Sequence, residues 1–181
     1  MGKISNLSPV KLIAGLIYKN ESIFKKTEWV LRKRFGEMDF KSAGFPFDYT
    51  DYYEKEFGKG LKRRFISFKK LINPKELPKI KILSNDIEEE FSKNAERLIN
   101  IDPGYIDFAK LILASTKDYS HRIYLGKGIY AEITLVFRGK SFKPWPWTYP
   151  DYRTREYIAI FNKIREIYGA QIKKGEYAVR I

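Results

Sequence analysis

Residues 129–137 read Ile-Tyr-Ala-Glu-Ile-Thr-Leu-Val-Phe, and this alternation constrains the fold more than any other stretch. Ile129, Ala131, Ile133, Leu135 and Phe137 fall on one side of an extended chain, with Tyr130, Glu132 and Thr134 on the other. The segment is a strand with one apolar face. Gly126-Lys127-Gly128 precedes it, and a strand-like run from His121 lies before that turn. A three-residue loop brings Ile123 and Leu125 onto the apolar face, sets Arg122 opposite Glu132 and sets Tyr124 opposite Tyr130. A two-residue loop would put Arg122 among the isoleucines. The three-residue hairpin from His121 to Phe137 is therefore expected.

The rest of the chain supplies elements around that hairpin. Val10 to Tyr18 reads as a buried strand. Asn20 caps a helix whose apolar positions Ile23, Phe24, Thr27, Val30, Leu31 and Phe35 follow a 3.6-residue period to Gly36. Met38 to Phe47 reads as a strand closed by Pro46, and Lys62 to Ile72 as a basic strand. Lys79 to Leu83 alternates like a short strand, and Asn85 with Glu88 resembles a capping box that opens a helix to about Asn94. Arg97 to Ile101 is expected to be a strand ended by a type II turn at Asp102-Pro103-Gly104, with another strand from Leu111 to Ser115. A last helix is expected from about Arg153 to Tyr168, stopped by Gly169. The fold class is α+β in a single domain over residues 1–181, with a largely antiparallel mixed sheet and about three helices. Its first half, β-α-β-β-α-β, has the order of a ferredoxin-like unit.

Composition narrows the chemistry. The 181 residues contain no cysteine and one histidine, so disulfides and thiolate-ligated metals are excluded and a zinc site is not expected. No run approaches the ~20 apolar residues of a membrane helix, and no leader precedes the apolar run at Leu12, so a cytoplasmic protein without a membrane partner is expected. Few Met and Gln beside abundant Lys, Glu, Ile and Tyr fit a heat-adapted protein. The 35 Lys and Arg against 22 Asp and Glu leave a formal charge of +13, which attracts polyanions at low salt. That charge is uneven: Lys62 to Lys81 holds eight bases and one acid, Asp86 to Glu96 five acids and one lysine.

Three constellations carry candidate chemistry. His121, Glu132, Lys117, Arg122, Tyr124 and Tyr130 gather around one hairpin; His121 or Glu132 would move a proton while Lys117 and Arg122 hold an anion. An ordinary cross-strand ion pair and an aromatic pair account for the same residues. Trp145, Trp147 and Tyr149 alternate with prolines, a stiff backbone suited to stacking on bases, with Arg153 among the flanking cations. The same rings would also serve to cover one end of a core. Asp48, Asp51, Glu54 and Glu56, beside Tyr52 and with Asp102 as an optional fifth carboxylate, offer oxygen ligands, but without EF-hand spacing no metal is assigned. No cofactor is implied.

Several stretches resemble one prokaryotic family, domain of unknown function 4416. They are Asp51-Tyr52-Tyr53-Glu54-Lys55-Glu56, Asn100-Ile101-Asp102-Pro103-Gly104-Tyr105, Lys110 to Lys117, the two hairpin strands, and Pro144-Trp145-Pro146-Trp147-Thr148-Tyr149-Pro150-Asp151-Tyr152. The resemblance implies no activity, although some members carry an automatic label of GTP-binding protein. That label needs a P-loop, and the chain has none. Thr116-Lys117-Asp118-Tyr119 misses the guanine-reading pattern by one residue. Three functions remain open: binding of RNA, a nucleotide or another phosphate-rich ligand through a basic aromatic face; an enzyme of nucleotide or phosphoester chemistry using His121, Arg122 and Glu132; and an interaction module or homodimer.

Overall fold

A computed structural model describes residues 2, 7–50, 57–93 and 96–175. In chain order these form β1 (Val10–Tyr18), α1 (Glu21–Phe35), β2 (Met38–Lys41), β3 (Phe45–Pro46), β4 (Lys62–Ile72), α2 (Leu77–Glu90), β5 (Ser92–Lys93), β6 (Glu96–Arg97), β7 (Ile99–Ile106), β8 (Lys110–Ser115), β9 (Arg122–Gly126), β10 (Ile129–Arg138), β11 (Ser141–Pro144) and α3 (Arg155–Lys174). Every pairing is antiparallel. The main sheet runs β11-β10-β8-β7-β1-β4-β2, with β3 added on β4 and β9 on β10. In the first half the order β7-β1-β4-β2 is that of the ferredoxin-like unit: the fourth, first, third and second of its strands.

β1 is buried at every position because it lies inside the sheet, between β7 and β4, and both its faces are covered. Leu12, Leu16 and Tyr18 pack with Phe24 and Leu31 of α1 and with Ile80 and Ile87 of α2. Ile13, pointing the other way, packs with Phe65 and with Phe161 and Ile164 of α3. The architecture is three layers, two helices over one face and one over the other. No helix among the described residues is long and apolar enough to cross a membrane.

Four local expectations are corrected. Lys79 to Leu83 is not a strand and Asn85 caps nothing, because both lie inside α2, which starts at Leu77. Pro78 sits in the first turn, where no N–H is needed, so it opens the helix rather than breaking it. Asp102-Pro103-Gly104 is no turn but the middle of β7, opposite Gly15, Ala14 and Ile13. β8 pairs only from Gly104 onward, which leaves one edge of Pro103 open. Gly104 is required there, since a Cβ would lie 2.2 Å from the Ile112 carbonyl oxygen. The last helix runs past Gly169 to Lys174 and ends at Gly175 in the left-handed conformation, φ 65°. The expected strand from Met38 to Phe47 is two short strands on β4.

The hairpin register follows expectation: Arg122 pairs with Glu132 and Tyr124 with Tyr130. At its tip Gly126 pairs with Ile129 around Lys127-Gly128, so Leu125 bulges out of the ladder instead of joining the apolar face. A second irregularity, between Ile133 and Leu135, corrects the single apolar face of β10. Ile129, Ala131 and Ile133 pack toward Leu77 of α2, whereas Leu135 and Phe137 pack with the residues of α3.

Candidate functional site

Register and bulge together bury Glu132 and Thr134 on the α3 side of β10, outside the reach of α3 itself. The side chains of Arg122 and Glu132 are each only 2% exposed. Arg122 Nε and Nη2 lie 3.0 and 2.9 Å from Glu132 Oε2. Nη1 donates to Ser115 Oγ at 2.8 Å and to the Lys117 carbonyl at 2.9 Å, and Nη2 also donates to the Tyr149 hydroxyl at 3.0 Å. These contacts engage all three guanidinium nitrogens. Arg122 therefore holds the β8–β9 loop and the Pro-Trp loop against the hairpin.

His121 Nε2 lies 3.1 Å from the same carboxylate oxygen, and Thr134 donates to Oε1 at 3.3 Å. The imidazole forms part of a column of rings. Tyr119 stacks on His121 at 5.9 Å, His121 on Trp147 at 5.6 Å, and Trp147 on Trp145 at 5.1 Å with their planes 6° apart. Arg138 lies over Trp145 at 5.3 Å. The two indoles occupy each other's faces, so no base can enter between them. Their loop is fastened by Trp147 Nε1 donating to the Ile133 carbonyl at 3.0 Å, and by Arg153 donating to the carbonyls of Thr148 and Pro146 at 2.6 and 2.7 Å. Arg153 is thus a strut of the loop. Trp147 remains 37% exposed and Tyr149 is exposed, and an open depression of about 550 Å³ is lined by Ser120, His121, Pro146 and Trp147.

The structure brings together His121, Glu132, Arg122, Trp145, Trp147, Tyr149 and Arg153, with Lys117 joining through its backbone. Tyr124 and Tyr130 form a ring pair one step along the hairpin, 5.2 Å apart. Tyr52 lies outside the described residues, as do Asp51, Glu54 and Glu56. Among the described residues β4 forms no single cationic face, because helices cover the sheet and the cations of β4 divide between its sides. Arg63 is buried toward α3, while Lys62 and Arg64 pair with Glu21.

Sequence reasoning missed a second charged cluster on that α3 side. Arg63 reaches across β1 to Asp102 on β7 at 3.1 Å and donates to the Tyr152 hydroxyl at 2.6 Å. Gly15 provides the gap, since a Cβ there would lie 2.8 Å from the guanidinium. Burial holds the Asp151 carboxyl above the ordinary carboxylate range; Arg63 acts against that shift and Asp102 adds to it. The available signal was the lone glycine in an otherwise bulky strand. Among the described residues no group of three or more metal-ligating side chains forms.

Fold and site define an α+β protein with a helix-covered antiparallel sheet and a carboxylate-held imidazole beside an aromatic column. The chain matches the family described as Domain of unknown function (DUF4416) over residues 8–168, and it belongs to that family. No curated protein and no solved structure matches it.

Proposed function

We propose that this is a single-domain cytosolic protein that binds a phosphate-bearing ligand, RNA or a nucleotide, in the depression beside the ring column. The observation that supports this reading is the setting of His121. Its Nε2 is tied to Glu132, its ring is clamped between Tyr119 and Trp147, and its Nδ1 has no hydrogen-bond partner among the described residues. An imidazole so held donates to a phosphate oxygen when protonated, in the depression bordered by the part of Trp147 that the stack leaves exposed. Arg122 and Arg153 position the loops, and the +13 charge supplies long-range attraction.

Tryptophan fluorescence tests the reading, using Trp29→Phe to remove the exposed indole of α1. A single-stranded RNA oligomer or a nucleotide is expected to quench the remaining emission, with affinity that falls as salt rises. His121→Gln is expected to weaken binding roughly tenfold, the effect of one charge-assisted hydrogen bond. Absence of any binding at low salt overturns the proposal. The enzyme reading draws on the same Glu132–His121 contact, and phosphoester turnover abolished by Glu132→Gln would favour it instead.

A further inference from the structure

Among the described residues the sheet has three margins, and they are not alike. Along β2 and β3 the margin carries a register shift at Met38/Phe40, the exposed Lys41, Pro46, and Asp39 turned inward to Lys11. Each of these discourages a foreign strand from pairing. β11 is four residues long and ends in Lys143-Pro144. β9 has neither lysine nor proline, and it pairs with β10 alone among the described residues. Its side chains Ile123 and Tyr124 are 67% and 58% exposed.

The two faces of β9 differ in what they leave uncovered. Ile123 pairs with Ala131 on the face where Ile82 and Ile133 are only half-buried, at the end of the α2 cover. An unpaired backbone edge is satisfied by a strand, and an apolar strip beside it is satisfied by another apolar strip. β9 offers itself both. An antiparallel copy centred on Ile123 sets Ile123 against its own twin and Arg122 against Tyr124 of the twin, on the face away from α2. Charge agrees: residues 118–126 hold one acid and one arginine, and that arginine is neutralised by Glu132, whereas the chain as a whole carries +13. The strand that would pair therefore adds little repulsion between two copies.

We propose that β9 is the interface of a two-fold homodimer, in which two copies join their sheets by antiparallel pairing across Ile123. This surface is separate from the ligand proposal, and its test does not depend on a ligand.

The absence of cysteine makes the test direct. Ile123→Cys in the full chain is expected to form a disulfide-linked dimer under mild oxidation, far faster than Lys33→Cys on the exposed side of α1. Light scattering of the unaltered chain is expected to give the mass of two chains at high concentration and of one on dilution. Ile123→Lys is expected to stay monomeric throughout, with an unchanged melting profile in the dilute state and unchanged quenching by the RNA oligomer. A unaltered chain that stays monomeric at high concentration, a dimer that survives Ile123→Lys, or equal cross-linking at positions 33 and 123 overturns the proposal.

Discussion

Arg63 and Arg122 are both buried, both bound to a carboxylate and both in contact with tyrosine, yet they were built in opposite ways. Arg122 meets Glu132 within one hairpin, ten residues apart, and its remaining acceptors come from the end of β8 and the neighbouring loops. Arg63 meets Asp102 on another strand and Tyr152 eighty-nine residues away, and it does so only because β1 has a glycine at the crossing. A local cluster can be dismantled with the rest of the fold intact; a non-local one ties the sheet together.

That contrast sets the order of expected effects. Asp102→Asn removes the carboxylate that meets the buried Arg63 guanidinium between β4 and β7, and is expected to cost about 3–5 kcal/mol, the range for breaking a buried ion pair. Gly15→Val is expected to be comparably severe, since the added atoms displace Arg63 and Tyr152 together. Chemical denaturation reads both. A loss under about 1 kcal/mol would reduce Arg63 to an ordinary surface pair.

Glu132→Gln is expected to cost less, about 1–3 kcal/mol, because Arg122 keeps three uncharged acceptors and the glutamine can still accept. Its more specific consequence is a loosened His121, read as a change in Trp147 emission. A stability loss equal to that of Asp102→Asn would erase the distinction between the two clusters.

The smallest effect sharpens the comparison through pH. The folded Asp151 carboxyl titrates above its ordinary value of 3.8, chiefly through burial. Between 3.8 and that higher point the folded chain holds a proton that the unfolded chain has shed, so this group's contribution falls as pH rises. Asp151→Asn removes that slope. Its melting temperature, relative to the unaltered chain, is expected to climb from pH 4 to pH 7; a flat difference would show the carboxyl to be relieved in the fold.

Much of the fold was legible where one short segment carried its own pattern. The β9–β10 register could be read from Arg122, Glu132, Tyr124 and Tyr130, and the β-α-β-β-α-β order from the run of strands and helices. Misreadings came where a residue's usual local preference was overridden. Pro78 and Pro103-Gly104 look like interruptions, but a helix's first turn needs no N–H at Pro78, and an open sheet edge tolerates Pro103. The bulge at Thr134 was invisible because it depends on which helix covers each half of β10, and nothing in its alternation says that the covering changes.

The sequence alone determined the class of fold, the absence of cysteine chemistry, the cationic surplus and the hairpin with its cross-strand pairs, because each follows from composition or from neighbours a few residues apart. Only the tertiary structure decided that the tryptophans spend their faces on each other, that Arg122 and Arg153 are struts, that Arg63 crosses Gly15 to Asp102, and that β9 is the unguarded margin. Those outcomes depend on which distant segments fill the same space, and packing is a property of the whole chain.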